Sequence, residues 1–157
     1  MKIKDNVISA IIGTALWSII IVVTVLFVIY KEFLIGPIVL LFGALIISSL
    51  FLFGRSCKSV FPDVLFGMID NGALVILALV GASFLGTLGA IVGGALGNVI
   101  TDGFAGIFEG YQANQNIKQG VKDERSPVST AFGKMAGCLI AMGLVLTVVW
   151  TIFKILI

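Results

Sequence analysis

Long apolar stretches alternate with short polar ones along this chain. No charged residue occurs from Val7 to Tyr30, and a membrane-crossing helix needs ~20 apolar residues. The pattern therefore predicts a first span over 7–30. Lys2 and Lys4 stand in front of it as in a signal peptide. The apolar run exceeds the ~7–15 residues of such a leader and lacks a small-residue cleavage pattern, so a retained helix is expected. Lys31 and Glu32 mark an interface, and a second span is expected over 33–54, with Pro37 in a tolerated first turn. A basic connector carrying Arg55 and Lys58 leads to Pro62, which is expected to open a third span, 63–84. A very short Gly86-Thr87 turn precedes the fourth, 87–110. So short a link makes these two spans antiparallel neighbours. The longest polar stretch is 111–126, after which Ser126-Pro127 reads as the cap and first turn of a fifth span over 128–157.

Composition agrees with this reading. Of 157 residues, 59% are hydrophobic and 11% charged, against ~45–50% and ~25% in soluble domains. Mean hydropathy is +1.19. A water-soluble fold of this size could not bury so much apolar surface behind so little polar covering. The expected class is an all-α integral membrane protein, one polytopic domain over 1–157 with five transmembrane helices. Its first expected partner is the lipid bilayer, and its place a cell membrane. Short-loop Lys and Arg fall on one side as Lys2, Lys4, Arg55, Lys58, Lys118, Lys122 and Arg125, with Lys134 just inside the last span. Only Lys31 and Lys154 fall on the other. The positive-inside rule then puts the N-terminus in the cytoplasm. A net charge of +2 gives no basic face for nucleic acid.

The chain has two cysteines and no histidine. Cys57 lies in the basic connector and Cys138 in an apolar run, surroundings that do not suggest a disulfide. Zinc sites built on Cys and His, and triads that need histidine, are excluded. Any metal chemistry must use oxygen ligands.

Such ligands concentrate in the hairpin of spans three and four, which holds Asp63, Asp70, Asn71, Asn98, Asp102 and Glu109 and no Lys or Arg. An acid near the bilayer centre costs ~2.5–3.5 kcal/mol on translocon scales, so such residues normally line a cavity or pathway. Asp63 and Asp70 are seven apart, as are Asp102 and Glu109, two turns along one helix face in each case. At 1.5 Å per residue, Asp70 lies ~10 Å in from its end of the hairpin and Asp102 ~12 Å in from the matching end. A two-rung carboxylate ladder is expected, with Asp70 and Asp102 deep and Asp63 and Glu109 at the mouth. Four close acids need counter-charge, and oxygen-only ligands suit Mg²⁺, Ca²⁺, Mn²⁺ or Fe²⁺ as a bound or transported species. Protons are the other candidate.

Structural readings stand beside these. Asp63 after Pro62 would serve as a helix-start acid. Glu109 would pair with Lys134. Asn71 and Asn98 would bond across helices. Gly89, Gly93 and Gly97 form a small-residue stripe, and Gly106 and Gly110 another, suited to packing within the chain or to a homo-oligomer. Two copies around the hairpin would enclose a pathway better than one.

The run Asp63-Val-Leu-Phe-Gly67-Met-Ile-Asp70-Asn71-Gly72-Ala-Leu-Val75 resembles the first helix of the vacuolar iron transporter family, with its Gly-x-x-Asp-Gly motif carrying an inserted Asn71. The end of span four, Glu109-Gly110-Tyr111-Gln112-Ala113, resembles the exit of that family's small-residue-rich second helix. The resemblance covers 63–113. It implies a dimer of five-helix subunits that moves ferrous or manganous ions between first and second helices, with Asp70 as the essential aspartate and Glu109 as the exit acid. The family's second-helix methionine has no equivalent here, Gly106 or Asp102 standing in its place, which moves the expected cargo toward harder ions.

The expected function is thus a small, non-enzymatic, homo-oligomeric transporter or channel for a divalent cation. The alternative is a non-transporting membrane subunit that assembles with a larger complex. Two aspartates facing each other across a hairpin also suit an intramembrane aspartyl hydrolase, but the Gly-x-Gly-Asp signature of those proteases is absent.

Overall fold

The computed structural model describes residues 2–30, 35–52, 57–119 and 126–156; within them the side chains at 2–6, 52, 57–59, 109–110, 112–117, 119 and 150–156 are not described. The described residues are all-helical. Four helices follow one another: α1 (Lys2–Tyr30), α2 (Ile35–Leu52), α3 (Cys57–Gln119) and α4 (Pro127–Leu156). Three segments are long and apolar enough to cross a membrane, Val7–Tyr30, Val60–Phe108 and Pro127–Val149, and Ile35–Phe51 is a shorter apolar helix.

Four elements stand where five were expected, because spans three and four belong to one 63-residue element. It is interrupted only at Leu85 (φ −131°, ψ 19°) and Gly86 (φ 58°, ψ −135°). The turn lies one residue earlier than the expected Gly-Thr pair. Nothing stands within 4 Å of a Cβ added to Gly86, so glycine is required there by the backbone angle and not by space. Two further boundaries differ. α3 begins at Cys57, so Pro62 lies inside the helix; in its second turn it removes one backbone donor without stopping the helix. At the other end α3 runs on to Gln119, past the expected boundary at 110: Gln112, Ala113, Gln115, Lys118 and Gln119 favour helix, and no proline interrupts before Pro127.

The expected cap at Ser126 is present. Ser129 N donates to Ser126 Oγ at 3.2 Å and Ser126 N donates to Ser129 Oγ at 2.9 Å, a reciprocal pair of the capping-box kind. Pro127 follows as first helical residue.

α4 is the hub. It packs against α1, α2 and α3, while α2 and α3 meet chiefly through it. The core is a seam of Val39, Ile46 and Leu50 from α2, Val60 from α3, and Phe132, Ala136 and Leu139 from α4. Glycines permit the close approach on both sides of α4. A Cβ on Gly43 would meet Ile140 at 2.7 Å, and one on Gly133 would meet Asp63 Cβ at 2.8 Å. Gly67 and Gly137 lie directly against backbone of the opposing helix, at Lys134 and Val64 respectively. α1 is the peripheral element. Trp17 meets Phe42 edge to face at 6.4 Å, but most of its large apolar side chains point outward, as they would toward lipid.

Candidate functional site

The hairpin of α3 is zipped by small residues. Gly81 lies against Gly89 and Gly93 against Leu77; a Cβ on Gly97 would stand 2.8 Å from Leu74 Cα. The contacts step outward by about one turn on each limb. The Gly89, Gly93 and Gly97 stripe is therefore spent on packing within the chain. Continuing the same register, the next pair is Asp70 with Thr101, whose hydroxyl donates to Asp70 Oδ1 at 2.5 Å.

Matched height was the expectation for Asp70 and Asp102, and the register puts them within one residue of it. Azimuth differs. Thr101 fills the inward position at 6% exposure, and Asp102, one residue on and ~100° around the helix, is exposed. Asn98, one turn earlier and also exposed, donates through Nδ2 to Asp102 Oδ2 at 3.0 Å. The expected convergence of two deep carboxylates thus becomes two separate polar pairs: Asp70 with Thr101 between the limbs, and Asp102 with Asn98 on the outer face of the second limb.

Asn71 bonds across helices, its Nδ2 donating to the Cys138 carbonyl oxygen of α4 at 3.0 Å. That bond is the structural reading of Asn71, a polar contact across helices. Asp63 is 3% exposed and lies beside Gly133 of α4. Because α3 starts at Cys57, Asp63 falls beyond the first turn and is not a cap. Glu109 belongs to α3, but its side chain, and with it the expected place at the mouth and the pairing with Lys134, lies outside the described residues. Lys134 Nζ stands 4.1 Å from the centroid of the Phe66 ring, a cation–π distance. Among the described residues no group of three or more His, Cys, Asp or Glu side chains is placed to hold a metal ion.

Thr101 escaped sequence reasoning as a site residue. It carries no charge, and only the register of the hairpin reveals it. A short hydroxyl–carboxylate contact inside an apolar pair of helices holds Asp70 in one orientation. Thr101 Oγ1 also lies 3.0 Å from Gly97 O and 3.1 Å from Asn98 O; with a single proton it donates to one acceptor at a time. Next to this pair a cavity of about 330 Å³ opens between the limbs, lined by Leu65, Phe66 and Ile69 from the first and by Thr101, Phe104, Ala105 and Phe108 from the second.

The outer limb of α3 exposes Leu88, Ile91, Leu96, Val99, Phe104 and Ile107. Asp102 and Asn98 sit within that apolar face. No atom lies within 4 Å of a Cβ added to Gly103 or Gly106, so the second expected small-residue stripe is open at Gly106. Compared with family models, curated proteins and solved structures, the chain has no match.

Proposed function

We propose that this chain is a five-pass membrane protein of the cell membrane, N-terminus in the cytoplasm, that passes a divalent cation such as Mg²⁺, Mn²⁺, Fe²⁺ or Ca²⁺ as a homo-oligomer. One observation carries this reading: Asp102, hydrogen-bonded to Asn98, is exposed on the otherwise apolar outer limb of α3. A carboxylate facing hydrocarbon costs several kcal/mol, and such residues face bundle interiors or ion paths. A second copy meeting the first along this limb would remove both pairs from lipid and bring two carboxylates and two amide oxygens together. That is an oxygen-only donor set for a hard cation. Asp70, held by Thr101 at the same depth, would add charge behind it. The resemblance of 63–113 to vacuolar iron transporters points the same way.

The second reading is a non-transporting subunit whose outer limb docks on a different membrane protein. The open space at Gly103 and Gly106 supports it equally, since small residues let a foreign helix approach closely.

The test is flux in liposomes. Purified protein should carry Mn²⁺ or Mg²⁺ inward, and Asp70→Asn and Asp102→Asn should each reduce flux at least tenfold at unchanged oligomer size. A protein that carries no cation, and that is recovered stably only with another protein, is the subunit of the second reading.

A further inference from the structure

The two limbs of α3 are closed on one side of the Asp70–Thr101 pair and open on the other. Toward the turn at Gly86 they are zipped, Gly81 against Gly89, Gly93 against Leu77 and Gly97 against Leu74. Backbone pressed on backbone leaves no void there for water. Toward the end where α3 begins and ends, the limbs part around the cavity of about 330 Å³. Thr101 belongs to its lining, so the space reaches the hydroxyl that donates to Asp70. α4 shuts a third side: Gly67 lies against the Lys134 backbone, and Asn71 is bonded to the Cys138 carbonyl.

Depth makes that opening matter. Cys138 is the middle residue of the apolar segment Pro127–Val149, and Asn71 reaches it, so Asp70 stands near half-depth of the span. Acids at such depth face a bundle interior or a water-filled cavity. The cavity has room for several waters. Its walls give them little to bond to, since every lining residue except Thr101 is apolar, Phe66 and Phe108 among them. Apolar constrictions in membrane proteins gate by dewetting. Phe108 lies two turns from Thr101 toward the end of α3, which places it at the outer reach of the cavity.

We propose that this cavity is a one-sided access path from the α3 ends to Asp70, gated by wetting between Phe66 and Phe108, with the glycine zipper as the barrier toward the other face. The path deepens the cation-transport reading and rests on it for what travels; access itself is measured without flux.

Thiol labelling in membrane vesicles of both orientations reads the path. The native thiols are removed by Cys57→Ser and Cys138→Ala; the latter keeps the backbone carbonyl that Asn71 uses. In that chain Ala105→Cys places a thiol on the cavity wall, and Ala78→Cys places one inside the zipper against Gly94. A membrane-impermeant cationic methanethiosulfonate should modify Ala105→Cys from the face bearing the α3 ends at least tenfold faster than from the opposite face. It should also modify Ala105→Cys at least tenfold faster than Ala78→Cys. Phe108→Ser should quicken labelling of Ala105→Cys at least fivefold by giving water a partner at the constriction, and retained cross-linking between cysteines at 78 and 94 shows that its hairpin is intact. Labelling that is equal from both faces, absent from both faces, or insensitive to Phe108→Ser would each overturn the proposal; absence would mean that lipid or another protein fills the cavity. Cation flux with an unlabelled Ala105→Cys would remove the path and keep transport. The expected labelling in a chain that carries no cation would keep the path and remove transport.

Discussion

The Thr101 hydroxyl donates to the carboxylate of Asp70 across the two limbs of α3, 2.5 Å apart and one residue away from the aspartate that the charge pattern singles out. A single hydroxyl thus decides which carboxylate is held between helices and which one, Asp102, is left on the outer face.

Thr101→Val keeps shape and removes the donor. A buried acceptor deprived of its partner costs ~1–3 kcal/mol, and hydrogen bonds between membrane helices average ~0.6 with a maximum near 1.7. A loss of about 1–2 kcal/mol is expected, with Thr101→Ser recovering most of it. Reversible unfolding in mixed micelles measures both. Stability unchanged in the Val variant and lost in the Ser variant would show that the methyl group matters and the hydroxyl does not.

Gly93 and Gly103 lie on the same limb and should respond in opposite ways. Gly93 is pressed against the Leu77 carbonyl, whereas a Cβ on Gly103 meets nothing within 4 Å. Gly93→Val should force the limbs apart, with an overpacking cost of ~1–3 kcal/mol. Gly103→Ala should be neutral or stabilising by up to ~1 kcal/mol from helix propensity. Cross-linking of paired cysteines at Ala78 and Gly94, where a Cβ on Gly94 lies 3.7 Å from Ala78 Cβ, would follow the separation of the limbs, lost in the first variant and kept in the second.

Asp102→Leu should separate stability from function. Removing a carboxylate from the lipid-facing side of a single copy relieves ~2.5–3.5 kcal/mol on translocon scales, so insertion into the membrane should improve while cation flux disappears. A variant that transports normally would remove Asp102 from the pathway.

Ser126→Ala should cost ~0.5–2 kcal/mol by taking away the cap of α4. The Ser126 Oγ bonds to Ser129 N and Ser129 Oγ are lost, both within three residues, so faster hydrogen exchange should be confined to the first turn of α4. Faster exchange along the whole helix would mean that the cap nucleates more than its own turn.

Hydropathy alone made most of the helices legible, because a bilayer imposes a length and an apolar composition on anything that crosses it. The Ser126-Pro127 start was readable for a local reason: cap and first-turn proline act within three residues. The depth of Asp70 and Asp102 followed from helical rise. Their facing did not, since a hairpin's register depends on which glycines touch, and a shift of one residue turns a side chain by ~100°. Gly89, Gly93 and Gly97 fit intramolecular packing and oligomerisation equally on paper; only the opposing backbone of Leu74, Leu77 and Gly81 decides between them. The helical run to Gln119 was hidden because hydropathy reports where apolar residues stop and says nothing of where backbone hydrogen bonding does. Thr101 was hidden because neither charge nor hydropathy marks a threonine.

The position of α4 has a consequence for biosynthesis. It emerges from the ribosome after α1, α2 and α3, yet it is the element to which all of them pack. Helices can enter a bilayer one by one and associate afterwards. Here the earlier ones have little to associate with until the last arrives: the α3 hairpin can close on its own glycines, but α2 and the hairpin remain separate bodies in the lipid. Completion of the bundle is therefore a late, nearly simultaneous docking event. A lesion at Gly43, Gly133 or Gly137, on either flank of α4, would leave inserted but unassembled helices for quality-control proteases to find.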